Sequence, residues 1–331
     1  MLTHPPVMAL VLASSLAALV LTVSTLFSWR LLRDWDPASG SERQIGLEKT
    51  TALVSTMVAF VLIVEVVGLV LFVATLDRLS ALFVGAMCAV GTLNASVWGF
   101  PALFGKIAVF FAASLWLVID HVDNRGRDYP YIRQKYAALF VLTPLVLVTA
   151  GIQAAYFLDL KADTITSCCG KLFGEETDST GGDLAALDPR LALWLLYGGM
   201  VLVLAYGWLA QGSRRLLTGY GLASLALFVL ALAAVVSAIS IYVYEHPHHH
   251  CPFCLLKREY AHFGFVLYPP LFIGAAAGMA TSVLALLPAR ASMAAVMPVS
   301  LARLTRISLG GFVLFGLIAG LAVAFSGLRL D

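Results

Sequence analysis

Charge is what this chain has least of. Asp, Glu, Lys and Arg together make up 12% of its 331 residues, while 60% are hydrophobic. A water-soluble domain cannot hide that much apolar surface, so the bilayer must be the solvent and lipid the first partner. The sparse charge nearly cancels, at a net +2. With no basic arm and no aromatic-basic platform, nothing points to nucleic acid. No GxGxxG, Walker loop, HExxH or Ser-His-Asp pattern stands out, which argues against ATP-driven transport and hydrolysis. Haem is not expected either. No Cys-x-x-Cys-His is present, and His121 and His262 both fall at span ends rather than at facing positions inside a bundle.

What is present is a series of apolar runs, and they predict an all-α, polytopic membrane protein forming a single integral membrane domain over 1–331. The first run covers about 7–32. Its basic residues, Arg30 and Arg33, follow it rather than precede it, which places the N-terminus outside and argues against a cleaved signal. The second runs over about 51–76. Leu79 to Ile119 is too long for one span and generous for two. It is interrupted by Asn94-Ala-Ser-Val-Trp-Gly-Phe-Pro101. One net crossing with a broken or re-entrant piece near 79–101 puts the basic segments 30–49, 125–135, 214–215 and 290–306 on one side, and these hold thirteen of the twenty-one Lys and Arg. Two crossings would abolish the bias, so the positive-inside rule favours one. Further spans at 136–158, 190–211, 218–244, 262–287 and 307–327 give eight crossings, with both termini outside. Loops 159–189 and 245–261 then lie on the outer face.

Three polar residues fall within apolar sequence. Glu65, Asn94 and Lys106 are expected to face a shared polar interior, with Glu65 and Lys106 as a pair, because a lone charge in hydrocarbon is costly. Snorkelling by Lys106 is the blander alternative.

The chemistry concentrates elsewhere. Residues 245–260 read EHPHHHCPFCLLKREY, with four of the seven histidines (His246, His248, His249, His250) set before Cys251 and Cys254. Such a pair can close a structural disulfide, exchange disulfides or hold a soft metal. Cys168 and Cys169 form a vicinal pair in the acidic loop on the same face. A vicinal disulfide is strained and bridges no loop, and strained exposed disulfides are the reducible ones. Cys88, alone in the broken stretch, is expected simply to pack.

Cys251-Pro-Phe-Cys254-Leu-Leu-Lys-Arg258, at the mouth of a span, resembles the active motif of bacterial quinone-linked disulfide oxidases. A loop cysteine pair upstream of Cys-x-x-Cys is also similar to the order in bacterial homologues of vitamin K epoxide reductase. Both families use a four-helix core. The resemblance implies that Cys251 and Cys254 pass electrons to quinone, that Arg258 steadies the reduced ring, and that Cys168–Cys169 shuttles to a soluble thioredoxin-like thiol partner. In that reading Cys251 is the more exposed cysteine, within reach of Cys168 or Cys169. Cys254 lies deeper, beside Arg258 and the aromatic residues Tyr260, Phe263 and Tyr268 that wall the ring.

The expectation is therefore a membrane thiol–disulfide oxidoreductase of the bacterial cytoplasmic membrane. Two alternatives stay open. One is a component that binds or transports a soft metal, copper, zinc or mercury, through His246, His248, His249, His250, Cys251 and Cys254. The other is a structural subunit of a larger membrane complex.

Overall fold

The computed structural model describes residues 4–36, 41–126, 128–161, 166 and 187–328. Among them the regular elements are helices: α1 (Pro5–Asp34), α2 (Glu42–Leu79), the six-residue α3 (Ala89–Asn94), α4 (Gly99–Asp123), α5 (Ile132–Asp159), α6 (Pro189–Ala210), α7 (Arg214–Tyr244), α8 (Gly264–Leu286) and α9 (Val296–Ala324). All but α3 are long and apolar enough to cross a bilayer, giving eight candidate spans. This is a polytopic helical membrane protein, and its lipid-facing surface is apolar, with Leu12, Leu26, Trp194, Leu209 and Leu222 among the exposed side chains.

Element ends follow local chemistry. α1 opens on Pro5 and Pro6, where a missing N–H costs nothing. The Asp188 carboxylate caps α6 by accepting from the N–H of Arg190 and of Leu191, with Pro189 at the first helical position. α9 begins at Val296, about three turns before the predicted start at 307. Its first turns carry Arg303 and Arg306, and a helix continues past the hydrocarbon edge as long as nothing breaks it. α2, at 38 residues, spans about 57 Å, so its polar first turns stand clear of a hydrocarbon layer of about 30 Å.

The stretch 79–119 divides where the helix breakers fall. A 3-10 turn (Ser80–Leu82) and a bend lead to α3, a turn over 95–98 follows, and only α4 is long enough to cross. The short helix α3 is buried from Ala89 to Leu93. Backbone this irregular survives at depth only when protein surrounds it.

The chain forms two compact units. The first contains α1, α2 as far as Thr75, α4 and α5. Its core packs Leu21, Leu62, Val109, Trp116, Tyr136 and Leu142. Thr25 and Thr143 hydroxyls meet at 2.6 Å where α1 crosses α5, and Gln153 Nε2 donates to Leu10 O at 3.1 Å.

The second unit contains the end of α2, α3 and the four spans α6 to α9. Small residues let its helices approach closely. A Cβ on Gly311 of α9 would strike the Gly274 backbone of α8. Ser308 Oγ donates to Gly274 O at 2.7 Å, Tyr220 OH donates to Ser308 Oγ at 3.0 Å, and Ser282 Oγ of α8 donates to Leu217 O of α7 at 2.8 Å. With little hydrophobic drive between helices in lipid, such close contacts and buried hydrogen bonds carry the association.

Candidate functional site

The 245–263 connector joins α7 to α8 within the second unit. α7 ends at Tyr244, and Glu245 takes a left-handed conformation at φ 53° that turns the chain out of the helix. A π-turn, Val235–Ile239, interrupts α7 just before that end. Such a turn loosens the regular carbonyl pairing, and His250 uses the opening: its Nδ1 lies 3.0 Å from Val236 O. A carbonyl only accepts, so Nδ1 carries the proton. His250, the residue before Cys251, is thereby a buried anchor for the motif.

Two tyrosine hydroxyls hold the motif backbone. Tyr244 OH donates to Cys251 O, and Tyr268 OH of α8 donates to Pro252 O at 2.6 Å. Cys254 then opens a 3-10 turn to Leu256, closed by Lys257 N–H to Cys254 O at 3.0 Å. The Lys257 ammonium sits 3.4 Å from Asp77 Oδ1 and 3.4 Å from Ser80 Oγ, tying the motif to the end of α2.

That tie brings in a residue expected only to pack. Cys88, just ahead of α3, has its Sγ 3.6 Å from Cys251 Sγ. With Cys254 the three sulfurs lie within 4.8 Å of one another, all buried. Thr92 Oγ1 fixes α3 by donating to Leu76 O at 2.9 Å. Thr166 fixes the preceding bend, its N–H donating to Val84 O at 3.0 Å and its hydroxyl to Gly91 O at 2.8 Å. Gly85 makes room there: its φ is +86°, and a Cβ would collide with the Thr166 carbonyl.

Cys251 is not the more exposed cysteine of its motif. It is 0% exposed and Cys254 5%, because Tyr244 covers the loop backbone from one side and α3 delivers Cys88 from the other. Arg258 and His262 are exposed, Phe263 is half-buried, and Tyr260 lies against Tyr244 with ring centroids 4.3 Å apart. Tyr244, absent from the expected aromatic wall, is thus its centre, packing also on His249 at 4.3 Å. His246 and His248 are exposed, and the three-sulfur group contains no histidine. Cys168 and Cys169 lie outside the described residues, two and three positions after Thr166.

In the first unit, Glu65 and Lys106 pair as expected. Lys106 Nζ lies 2.8 Å from Glu65 Oε2 and 2.8 Å from Ser14 Oγ, with both charged side chains buried. Asn94 is not in this group; it ends α3 in the second unit, half-buried. A second buried set escaped the sequence reading, since Asp120, Asp123 and Lys135 look like ordinary boundary charges. Lys135 Nζ is 3.0 Å from Asp120 Oδ1 and 3.0 Å from Asp123 Oδ2. Asp123 also accepts the Tyr131 N–H at 2.7 Å, and Asp120 accepts from Asn124 at 3.0 Å. Ser55 of α2 also donates to Asp120 Oδ1, so the network ties α2, α4 and α5 together. Comparison with protein-family models, with curated proteins and with solved structures returns no match to this chain.

Proposed function

We propose that the protein is a membrane thiol–disulfide oxidoreductase whose exchanging sulfurs are Cys251, Cys254 and Cys88. The observation that carries this reading is the 3.6 Å separation of Cys88 and Cys251 beside a Cys-x-x-Cys pair. Exchange needs a thiolate within contact of a disulfide, and three sulfurs in one pocket meet that need. A disulfide joins two of them; the third, as thiolate, attacks one bonded sulfur, forms a new S–S bond and expels the other sulfur as thiolate. The bond moves, and no net electron is transferred. Net oxidation comes from the two ends. A soluble dithiol of a thioredoxin-like partner loses two electrons and two protons on becoming a disulfide. A quinone, when bound, supplies the sink for the same two electrons and two protons.

Burial of the sulfurs supports a relay rather than direct attack by a folded partner. The shuttle in this reading is Cys168–Cys169. On the quinone side, exposed Arg258 offers a guanidinium for a ring oxygen, while Tyr260 and Phe263 offer apolar wall. The Tyr268 hydroxyl is committed to Pro252, so its part is the wall and not a donor. The host membrane in this reading is the bacterial cytoplasmic membrane, with the motif on its outer side.

One observation favours a second reading. A metal about 2.3 Å from three thiolates in a plane holds them about 4 Å apart, which suits three sulfurs gathered within 4.8 Å. Copper(I) accepts three sulfur ligands, whereas zinc needs a fourth. A scaffold in a larger complex is the third reading, with the cysteines as staples.

The deciding experiment uses the purified full chain, with thiols acid-trapped and alkylated, metal content measured alongside, and quinol formation followed with a reduced thioredoxin-like substrate. The oxidoreductase reading expects a reducible bond among the three cysteines and quinol formation lost in Cys251→Ser and in Cys254→Ser. Stoichiometric copper, lost in each Cys→Ser variant with no quinol formed, would move the assignment to the metal. Neither activity nor metal leaves the scaffold.

A further inference from the structure

The Glu65–Lys106 pair borders a cavity of about 220 Å³. Ser14 of α1, Glu65 and Gly68 of α2 and Lys106 of α4 form its polar side. Its rim is made by Ile63, Val67 and Leu71, three side chains largely exposed on the lipid-facing surface. A buried ion pair returns little stability for its desolvation, so packing alone gives weak reason for one at this depth. The ammonium has three N–H bonds. Glu65 and Ser14 take two of them, and among the described residues the third has no acceptor. Gly68 keeps the approach open, since a Cβ there would already stand 4.0 Å from Lys106 Nζ.

We infer that this cavity is a binding site for a neutral, lipid-soluble molecule that presents a carbonyl oxygen on a ring-sized apolar body. Apart from the ion pair and Ser14 the walls are apolar, so the ligand's body must be apolar. Glu65 already balances the charge of Lys106, so an anionic head would enter as an uncompensated charge, whereas a neutral carbonyl needs only the spare N–H. A cavity of about 150 Å³ holds benzene, so about 220 Å³ holds a substituted ring. A tail leaves past Ile63, Val67 and Leu71 into hydrocarbon. The site needs no cysteine and stands apart from the thiol reading.

The test uses the full chain in lipid nanodiscs and an alkyne-tagged 4-dodecylbenzophenone, which is both a ring ketone and a photo-crosslinker. The expected label falls on peptides covering 10–14 or 63–71. Dodecanophenone competes at least about tenfold better than dodecylbenzene, the difference being one hydrogen bond from a charged donor. Dodecanoate competes poorly. Gly68→Leu fills the space and loses the label; as a helix-interior change from glycine it favours the folded helix. Val67→Trp closes the rim from the exposed side and gives the same loss. Labelling that persists in both variants, or equal competition by the ketone and the hydrocarbon, overturns the proposal.

Discussion

Removing one member of the Glu65–Lys106 pair leaves its partner charged, buried and uncompensated. Lys106→Met and Glu65→Leu are each expected to cost about 3–5 kcal/mol, while the double variant recovers most of that loss, because the desolvation cost disappears with both charges. Thermal unfolding of the detergent-solubilised protein checks this; additive losses in the double variant would show that the two residues act apart. Their pairing was legible in the sequence, since each was the single acid or base in a long apolar run and neither is tolerable alone. Cys88 was not. It stands 163 residues from Cys251 in the chain, amid small apolar neighbours, and a buried lone cysteine looks the same whether it packs or reacts. The one signal that bore on it was the run of helix breakers after it, which makes room for a short buried helix in place of a span. Lys135 with Asp120 and Asp123 was missed for a related reason: charges at a span end ordinarily face water.

At the scale of elements, α3 follows Cys88 directly, and its own ties are specific. Thr92 Oγ1 satisfies Leu76 O near the end of α2, and Thr166 satisfies Val84 O and Gly91 O on either side of Cys88. With Cys168, Cys169 and Cys254 replaced by serine, mild oxidation is expected to join Cys88 to Cys251, read by mass spectrometry as a reducible link between the peptides carrying them. Adding Thr92→Val, which removes the hydroxyl at constant shape, should slow that link several-fold, as α3 loses its tie to α2. A link that forms equally fast with Thr92→Val would mean the pocket walls, not the hydrogen bond, position Cys88. Breakers near 94–101 made the interruption itself readable beforehand. The start of α9 was not, because a helix that runs beyond the membrane into Arg303 and Arg306 leaves no mark in hydropathy.

For the whole molecule, eight crossings would set which connectors share a side, and the positive-inside rule proposes which side that is. If all eight helices cross, the connectors α1–α2, α4–α5, α6–α7 and α8–α9 share one face, opposite 245–263. The segments around the first group hold thirteen of twenty-one Lys and Arg, and the orientation we propose by the positive-inside rule puts them in the cytoplasm. Cys251 is too buried to report its own side, and exposed positions must stand in for it. In a chain whose five cysteines are replaced by serine or alanine, His248→Cys and Glu259→Cys should react with a membrane-impermeant maleimide in intact spheroplasts. Asn124→Cys and Ala294→Cys should react only after permeabilisation. All four positions are exposed, so a silent site reports sidedness and not burial. Reversed labelling would invert the orientation and put the sulfur cluster in a reducing compartment, where a disulfide relay to an outer partner has no place. Labelling of Asn124→Cys and Ala294→Cys on opposite sides would break the eight-span count, since four spans, α5 to α8, separate them and an even number returns the chain to the side it left.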